Sequence, residues 1–274
     1  MKIGFSTNAF SNSSLFYAID VLSKIGYDGI EIVVDSPHAF LPMENSKIID
    51  LKNSIKNNNL QITNLNSNTV AGYGDSKYSP FEPSLSNIHD KLRDWRIEYT
   101  KKSIDFAYSL EAPSVSVTSG ILNEKNISDE INHFTTSLSV ISEYAEKKNI
   151  LIGIEYEPYL LISNSEDVWN LIYKDFKNIG LNLDTCHAAV LNENIPEIIK
   201  KFNKKIFHTH ISDCKNNVHF HLIPGLGEIN FTEIYQSLKK INYDGFLTAE
   251  LYTYADNPIE AASKAFIYLK NLIK

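Results

Sequence analysis

The sequence predicts an α/β chain folded as a closed (β/α)8 TIM barrel, and three observations carry that expectation. Eight short β-prone runs alternate with eight longer segments of helical spacing, the pattern of βα units on a parallel sheet rather than of a sandwich. The 274 residues lie close to the ~250 typical of one such barrel. Four consecutive runs in the second half each finish in a carboxylate or an imidazole, which is how a barrel gathers ligands distant in sequence around one point. A single domain over 1–274 is expected, because no linker or low-complexity tail interrupts the alternation.

Strands are expected at 2–7, 29–34, 60–66, 113–118, 150–157, 179–184, 205–211 and 246–251. The first opens at once on Ile3-Gly4-Phe5, with no charged and then apolar leader of signal-peptide length. Its helix has Ser13 or Ser14 as cap, Leu15, Ile19, Leu22 and Ile25 on one face, and Gly26 as stop. The second strand starts at Gly29, and Asn57-Asn58-Asn59 marks the polar end of the helix after it. The third strand ends in Asn64, Asn66 and Asn68. The stretch from Asn66 to Leu85, with Gly72, Gly74, Pro80 and Pro83, is the least regular of the chain; long loops at that end of a barrel usually carry function. Tyr73, Tyr78, Phe81 and Tyr159 are candidate apolar walls in the loops.

The fourth strand ends Val117-Thr118-Ser119-Gly120. The fifth, Ile150 to Pro158, is an apolar run finishing in Glu155 and Glu157 on one face, and the sixth ends in Asp184 with His187 three residues on. In the seventh, Phe207-His208-Thr209-His210-Ile211-Ser212-Asp213, the two-residue period puts His208, His210 and Ser212 together. His219 and His221 follow in what reads as a polar loop, so five of the eight histidines fall between Cys186 and Leu222. Asn230 with Glu233 three residues later resembles a capping arrangement before Ile234, Leu238 and Ile241. The eighth strand ends with Glu250. Two junctions read alike, Gly26-Tyr27-Asp28-Gly29 and Asn242-Tyr243-Asp244-Gly245, and Asp-Gly marks both as tight turns at the barrel's other end.

Composition narrows the function classes. A chain 43% hydrophobic and 22% charged is ordinary for a globular protein with a sizeable core. Its net charge of -7 argues against binding nucleic acid, which rests on Lys and Arg neutralising phosphates. Cys186 and Cys214 are too few for a disulfide framework and form no CxxC pair, so a reducing, cytoplasmic setting is expected. No run approaches the ~18 apolar residues of a membrane span.

Singly, Glu155, Asp184 or Glu250 would be an unremarked surface carboxylate; it is the coincidence of all three with His210 at four strand ends that points to chemistry. Two Glu, one Asp and one His suit a divalent cation such as Mn²⁺, Mg²⁺ or Co²⁺, because hard oxygen ligands dominate, and zinc is less favoured. His208 reads as a satisfied histidine packed beneath the site. Gly225 and Gly227 have two readings, backbone amides offered to a phosphate or sugar oxygen, or service to a turn.

The chain resembles the sugar-isomerase/epimerase superfamily of xylose-isomerase-like barrels. The resemblance rests on Gly26-Tyr27-Asp28-Gly29-Ile30-Glu31, Ile154-Glu155, Leu183-Asp184-Thr185-Cys186-His187, His210-Ile211-Ser212-Asp213, Pro224-Gly225-Leu226-Gly227-Glu228 and Ala249-Glu250-Leu251, in order along the chain. Within the superfamily it is most similar to the ketose 3-epimerases acting on fructoselysine, tagatose or psicose, through Pro37-His38-Ala39-Phe40 and the placing of His221 before Pro224-Gly225. The resemblance implies metal ligation by Glu155, Asp184, His210 and Glu250, with Glu155 and Glu250 also catalytic on opposite faces of the sugar. It implies His187 near a substrate oxygen and Glu157 in the pocket; His38, Asn66, Lys215 and His221 complete the expected substrate-binding set. Two departures stand out: Leu110-Glu111-Ala112 where the family usually has a middle glycine, and Lys215 roughly where the ketohexose enzymes have arginine.

The implied activity is a metal-dependent epimerase or isomerase of a ketose or ketose derivative, acting through an enediolate. The alternatives are a dehydratase of a keto-inositol or dehydroshikimate, a hydroxypyruvate isomerase, an abasic-site endonuclease, and a non-catalytic sugar-binding barrel. The endonuclease needs more ligands than the asparagines of the third strand provide. Dimers and tetramers are common among the relatives, and no residue pattern here fixes the assembly.

Overall fold

The computed structural model describes residues 1–74, 79–173 and 176–274. Its strands are β1 (Lys2–Ser6), β2 (Gly29–Val33), β3 (Gln61–Asn66), β4 (Ser114–Val117), β5 (Leu151–Ile154), β6 (Ile179–Asp184), β7 (Ile206–Ile211) and β10 (Phe246–Ala249), with β8 (Asp213–Lys215) and β9 (Val218–Leu222) between the last two. The eight barrel strands pair in parallel and close in the order β1-β10-β7-β6-β5-β4-β3-β2, as the alternating pattern predicts. Each is two-faced by the period of the strand. Ile30 and Ile32, or Leu181 and Leu183, join the apolar core, while their neighbours Glu31, Asn182 and Asp184 are buried polar residues.

The helices wrap the barrel and are started and stopped by the residues the sequence singles out. In α1 (Leu15–Ile25) the Ser14 hydroxyl accepts from Tyr17 N, and Gly26 ends the helix at φ 109°, a backbone state cheap only for glycine. Leu15, Ala18, Ile19 and Leu22 form its buried face; truncating a fully buried residue such as Leu22 to Ala costs about 2–5 kcal/mol. Helix α2 (Asn45–Asn57) is followed by α3 (Asp90–Leu110), which ends on Glu111 at φ 61°. That left-handed position is the physical reason a glycine belongs there, and this chain tolerates a side chain instead.

Helices α4 (Ile127–Glu146) and α5 (Ser165–Ile172) then alternate with strands as expected. After β6 the single expected helix is two, α6 (Thr185–Val190) and α7 (Ile195–Phe202): Asn192 turns at positive φ and Asn194 caps the second, which carries Pro196 in its first turn. Asn230 caps α8 (Phe231–Lys240) by accepting from Glu233 N, and α9 (Pro258–Leu272) closes the ring. Asp28 takes Ile3 N on its carboxylate and donates its own N–H to Ile3 O, so the Asp-Gly junction is a turn, as read.

One reading is corrected. The segment carrying His219 and His221 is not a polar loop but an antiparallel hairpin, β8 against β9, turned by Asn216 and Asn217, both at positive φ. No helix among the described residues is long and apolar enough to cross a membrane.

Candidate active site

Parallel register sets the height of the site. Thr248 lies opposite His210, and His210 opposite Asp184, so β10, β7 and β6 deliver these positions at one level. Strands β5 and β10 stop at Ile154 and Ala249, shorter than the runs to 157 and 251 expected. Glu155 and Glu250 therefore sit just past the strand ends, tied on by Glu155 N to Val117 O (3.0 Å) and Glu250 N to Ile211 O (3.3 Å).

The four strand ends meet. One ligand atom each from Glu155, Asp184, His210 and Glu250 lies within 4.8 Å of every other, and all four residues are buried. His210 Nδ1 is 2.9 Å from Glu155 Oε1, 3.4 Å from Glu250 Oε2 and 4.0 Å from Asp184 Oδ2. Burial would lower the His210 pKa, but the carboxylates of Glu155, Glu250 and Glu31 outweigh it and hold the imidazole well above its ordinary value. Burial pushes Glu155 up to about 7, with His210 pulling the other way and Glu250 and Asp184 adding to the rise. Three carboxylates around one imidazole leave negative charge uncompensated, and Asp184 Oδ2 is buried with no hydrogen-bond partner among the described residues. The donor set and the orphaned oxygen fit a divalent cation with hard ligands.

The cluster rests on buried residues beneath and beside it, and two of them, Glu31 and Asn182, are not among the site residues expected from sequence. Glu31 of β2 accepts from the far nitrogen of His210, Nε2, at 2.8 Å, and His208 Nε2 lies 3.1 Å from the same oxygen but off the line of a hydrogen bond. Burial would raise the Glu31 carboxyl; the imidazoles of His210 and His208 hold it well below its ordinary value. A carboxylate behind a ligating imidazole fixes which ring nitrogen faces the ion. Asn68 and Asn182 both donate to Glu155 Oε2, at 2.5 and 2.8 Å, and Asn66 donates to Glu250 Oε1 at 3.2 Å. The signal for Glu31 and Asn182 was there, a polar residue between apolar neighbours at the inward phase of a strand.

Above the cluster opens a cavity of ≈ 400 Å³, lined by Asn66, Phe81, Glu157, His187, His221 and Tyr252 beside Glu155 and Glu250. That volume is at the lower end of small-molecule sites. Burial, with Glu155 next to it, pushes Glu157 up to about 8.

Of the expected substrate-binding residues, the structure brings His187, Glu157, Asn66 and His221 to the cavity and leaves two away from it. His38 points its Nε2 at Phe10 O (3.1 Å), and Lys215 is exposed on the hairpin; neither lines the cavity. Among the aromatic candidates Phe81 lines it, Tyr73 packs edge-on against Trp95, Tyr159 is 85% exposed, and Tyr78 lies outside the described residues. The amides of Gly225 and Gly227 serve the turn: with Cys214 N and Ile229 N they donate to the carboxylate of Asp213 at 2.9–3.1 Å. Cys186 and Cys214 are buried and free.

Residues 19–272 match a family model described as a xylose isomerase-like TIM barrel. A fructoselysine 3-epimerase of Shigella flexneri is 27% identical, over 100% of this chain and 98% of its own. An uncharacterized protein of Methanocaldococcus jannaschii is 29% identical, over 91% of this chain and 83% of its own. Among solved structures, a D-tagatose 3-epimerase-like protein superposes with a TM-score of 0.83 at 25% identity, covering 100% of this chain and 97% of that one.

Proposed function

The chain belongs to the xylose isomerase-like TIM barrel family, and from that premise we propose that it is a divalent-metal-dependent epimerase or isomerase of a ketose or ketose derivative. Its named relatives include sugar epimerases, and the chain is an enzyme of that kind. One observation supports the reading above the rest: two glutamates from different strands, Glu155 and Glu250, stand in one buried cluster with Asp184 and His210 at the floor of a sugar-sized cavity.

Glu155, Asp184, His210 and Glu250 would hold the cation. When bound, it supplies the positive charge that polarises a ketose carbonyl and acidifies the neighbouring C–H. One glutamate then takes the proton from carbon, the electron pair moves onto the carbonyl oxygen to give an enediolate, and the other glutamate returns a proton from the opposite face. The centre is inverted and no proton is gained or lost overall. Asn68 and Asn182 hold the Glu155 carboxylate in place through both states. Glu157, His187, His221 and Asn66 face the outer oxygens of the sugar, and Phe81 and Tyr252 close the apolar side.

The test is deuterium uptake from D₂O into ketoses, their phosphates and their amino-acid adducts, with and without added Mn²⁺, Co²⁺, Mg²⁺ or Zn²⁺. Incorporation at the carbon next to the carbonyl, abolished by a chelator, is the expected result. Glu250→Gln with the metal still bound should remove it, and near-normal turnover in that variant would sink the two-glutamate mechanism. Release of water from a keto-inositol or dehydroshikimate, with no epimer formed, would make the enzyme a dehydratase instead.

A further inference from the structure

Away from the cluster, two buried charges are directed at one stretch of backbone. Arg96, in the body of α3, is 1% exposed. Its Nη2 donates to Ser67 O and to Asn68 O, the latter at 3.3 Å, while Nε and Nη1 are buried with no hydrogen-bond partner among the described residues. Burial lowers its pKa to about 10, so the guanidinium is still charged at neutral pH. Asp35, just past β2 and also 1% exposed, is the mirror case. Its carboxylate accepts from Thr69 Oγ1, Ala71 N and Gly72 N, as well as from Ser36 N, at 2.6–2.8 Å. The cation takes carbonyls of residues 67–72 and the anion takes amides and a hydroxyl of the same stretch; the two charges form no ion pair with each other.

A buried guanidinium with unmet donors and no carboxylate against it is costly, and an apolar side chain would fill the same space at lower cost. Folds keep such an arrangement where a functional position has to be held. Residues 67–72 lead straight to one: Asn68 and Thr69 line the cavity, and Asn68 Nδ2 donates to Glu155 Oε2 at 2.5 Å. Thr118 Oγ1 also donates to Asn68 O, at 3.0 Å, from the end of the neighbouring strand. Neither Arg96 nor Asp35 lines the cavity, so whatever they do for the site passes through this stretch.

We propose that Arg96 and Asp35 are positioning residues that clamp residues 67–72, one by its carbonyls and the other by its amides, and so hold the Asn68 carboxamide against Glu155. The effect on turnover rests on the epimerase reading above; the clamp itself does not.

Hydrogen exchange at the Asn68 side-chain amide, followed by ¹H–¹⁵N spectra, reads the clamp without any substrate. Arg96→Met keeps an unbranched apolar stem and removes both bonds. It should speed exchange at Asn68 Nδ2 by roughly tenfold, the scale of one lost hydrogen bond, and spare Asn178, whose amide donates to Ser142 O away from the site. Arg96→Lys should leave Asn68 protected, because one nitrogen, Nη2, serves both carbonyls and an ammonium can do the same. Asp35→Asn, equal in size and without the charge, tests the other jaw and should also speed exchange at Asn68; it decides the matter if Arg96→Met does not fold. Unchanged exchange at Asn68, or equal speeding at Asn178, would overturn the proposal. In the deuterium assay Arg96→Met should lower kcat by up to about 10²-fold, the effect of a misplacement of roughly 1 Å, with KM little changed. Adding Arg96→Met to Asn68→Ala should cost no more kcat than Asn68→Ala alone, and additive losses would deny that Arg96 acts through Asn68. A chain without turnover on any ketose ends the epimerase reading and leaves the exchange test standing.

Discussion

The two halves of the barrel meet the same axis with different chemistry. Strands β3 and β4 and their ends bring amides and hydroxyls, Asn64, Asn66, Asn68, Ser114 and Ser116, all buried. Strands β5, β6, β7 and β10 bring Glu155, Asp184, His210 and Glu250. The neutral half donates into the charged one: Asn68 to Glu155, Asn66 to Glu250, and Asn64 to a carboxylate on its own side, Glu31. Neutral donors orient a carboxylate without cancelling its charge, whereas an Arg or Lys there would compete with a cation for the same oxygens. The amide half therefore keeps the charged half ready for an ion.

Four substitutions break or sharpen that contrast. The largest effect belongs to the charged half: Glu155→Gln or Glu250→Gln should each lower turnover by roughly 10²–10⁴-fold, the worth of a positioned acid or base, in the deuterium assay. Glu31→Gln, which crosses the divide, should weaken metal affinity by about 10–100-fold, the usual scale for a group behind a ligating histidine. Competition with a chromophoric chelator measures it, and unchanged affinity would deny Glu31 any part in holding His210. Within the neutral half, Asn68→Ala leaves Glu155 Oε2 one donor short and should cost about 1–3 kcal/mol, read as a lower urea midpoint at unchanged slope.

A further effect concerns pH. Burial raises the folded Glu157 pKa to about 8, against about 4.3 for an ordinary glutamate. Its contribution is present below the lower value and lost as pH rises through the upper one, since the unfolded chain ionises first. In chelator-treated protein, stability should fall between about pH 4.3 and 8 by at most about 1.4 kcal/mol per unit from this group, and Glu157→Gln should flatten that slope.

Much of this was legible in the sequence because its signals are periodic. Apolar alternation gave all eight barrel strands to within a few residues, the caps at Ser14, Gly26 and Asn230 were plain, and the strand-end position of Glu155, Asp184, His210 and Glu250 implied that they meet. Depth was legible within a strand and not between strands. His208, two residues before His210, reads as packed beneath the site, but nothing in the spacing says that Glu31 joins it there, because residues on different strands share a phase without sharing a level until the register is known. The β8–β9 hairpin had a local signal, Asn216-Asn217 before the alternating Val218-His219-Phe220-His221, and reading that stretch as a loop missed it. His38 and Lys215 were carried by sequence position alone, and their side chains go to Phe10 O and to solvent.

The carboxylate of Asp213 has a use for anyone who would redesign this enzyme. By collecting the backbone N–H groups of Cys214, Gly225, Gly227 and Ile229, it fixes both ends of the excursion that carries His219 and His221. The tip at Asn216-Asn217 projects beyond that knot. Exchanges at the tip, where Asn217 Nδ2 donates to Asn192 Oδ1, should therefore leave His221 and the strand ends below in their places.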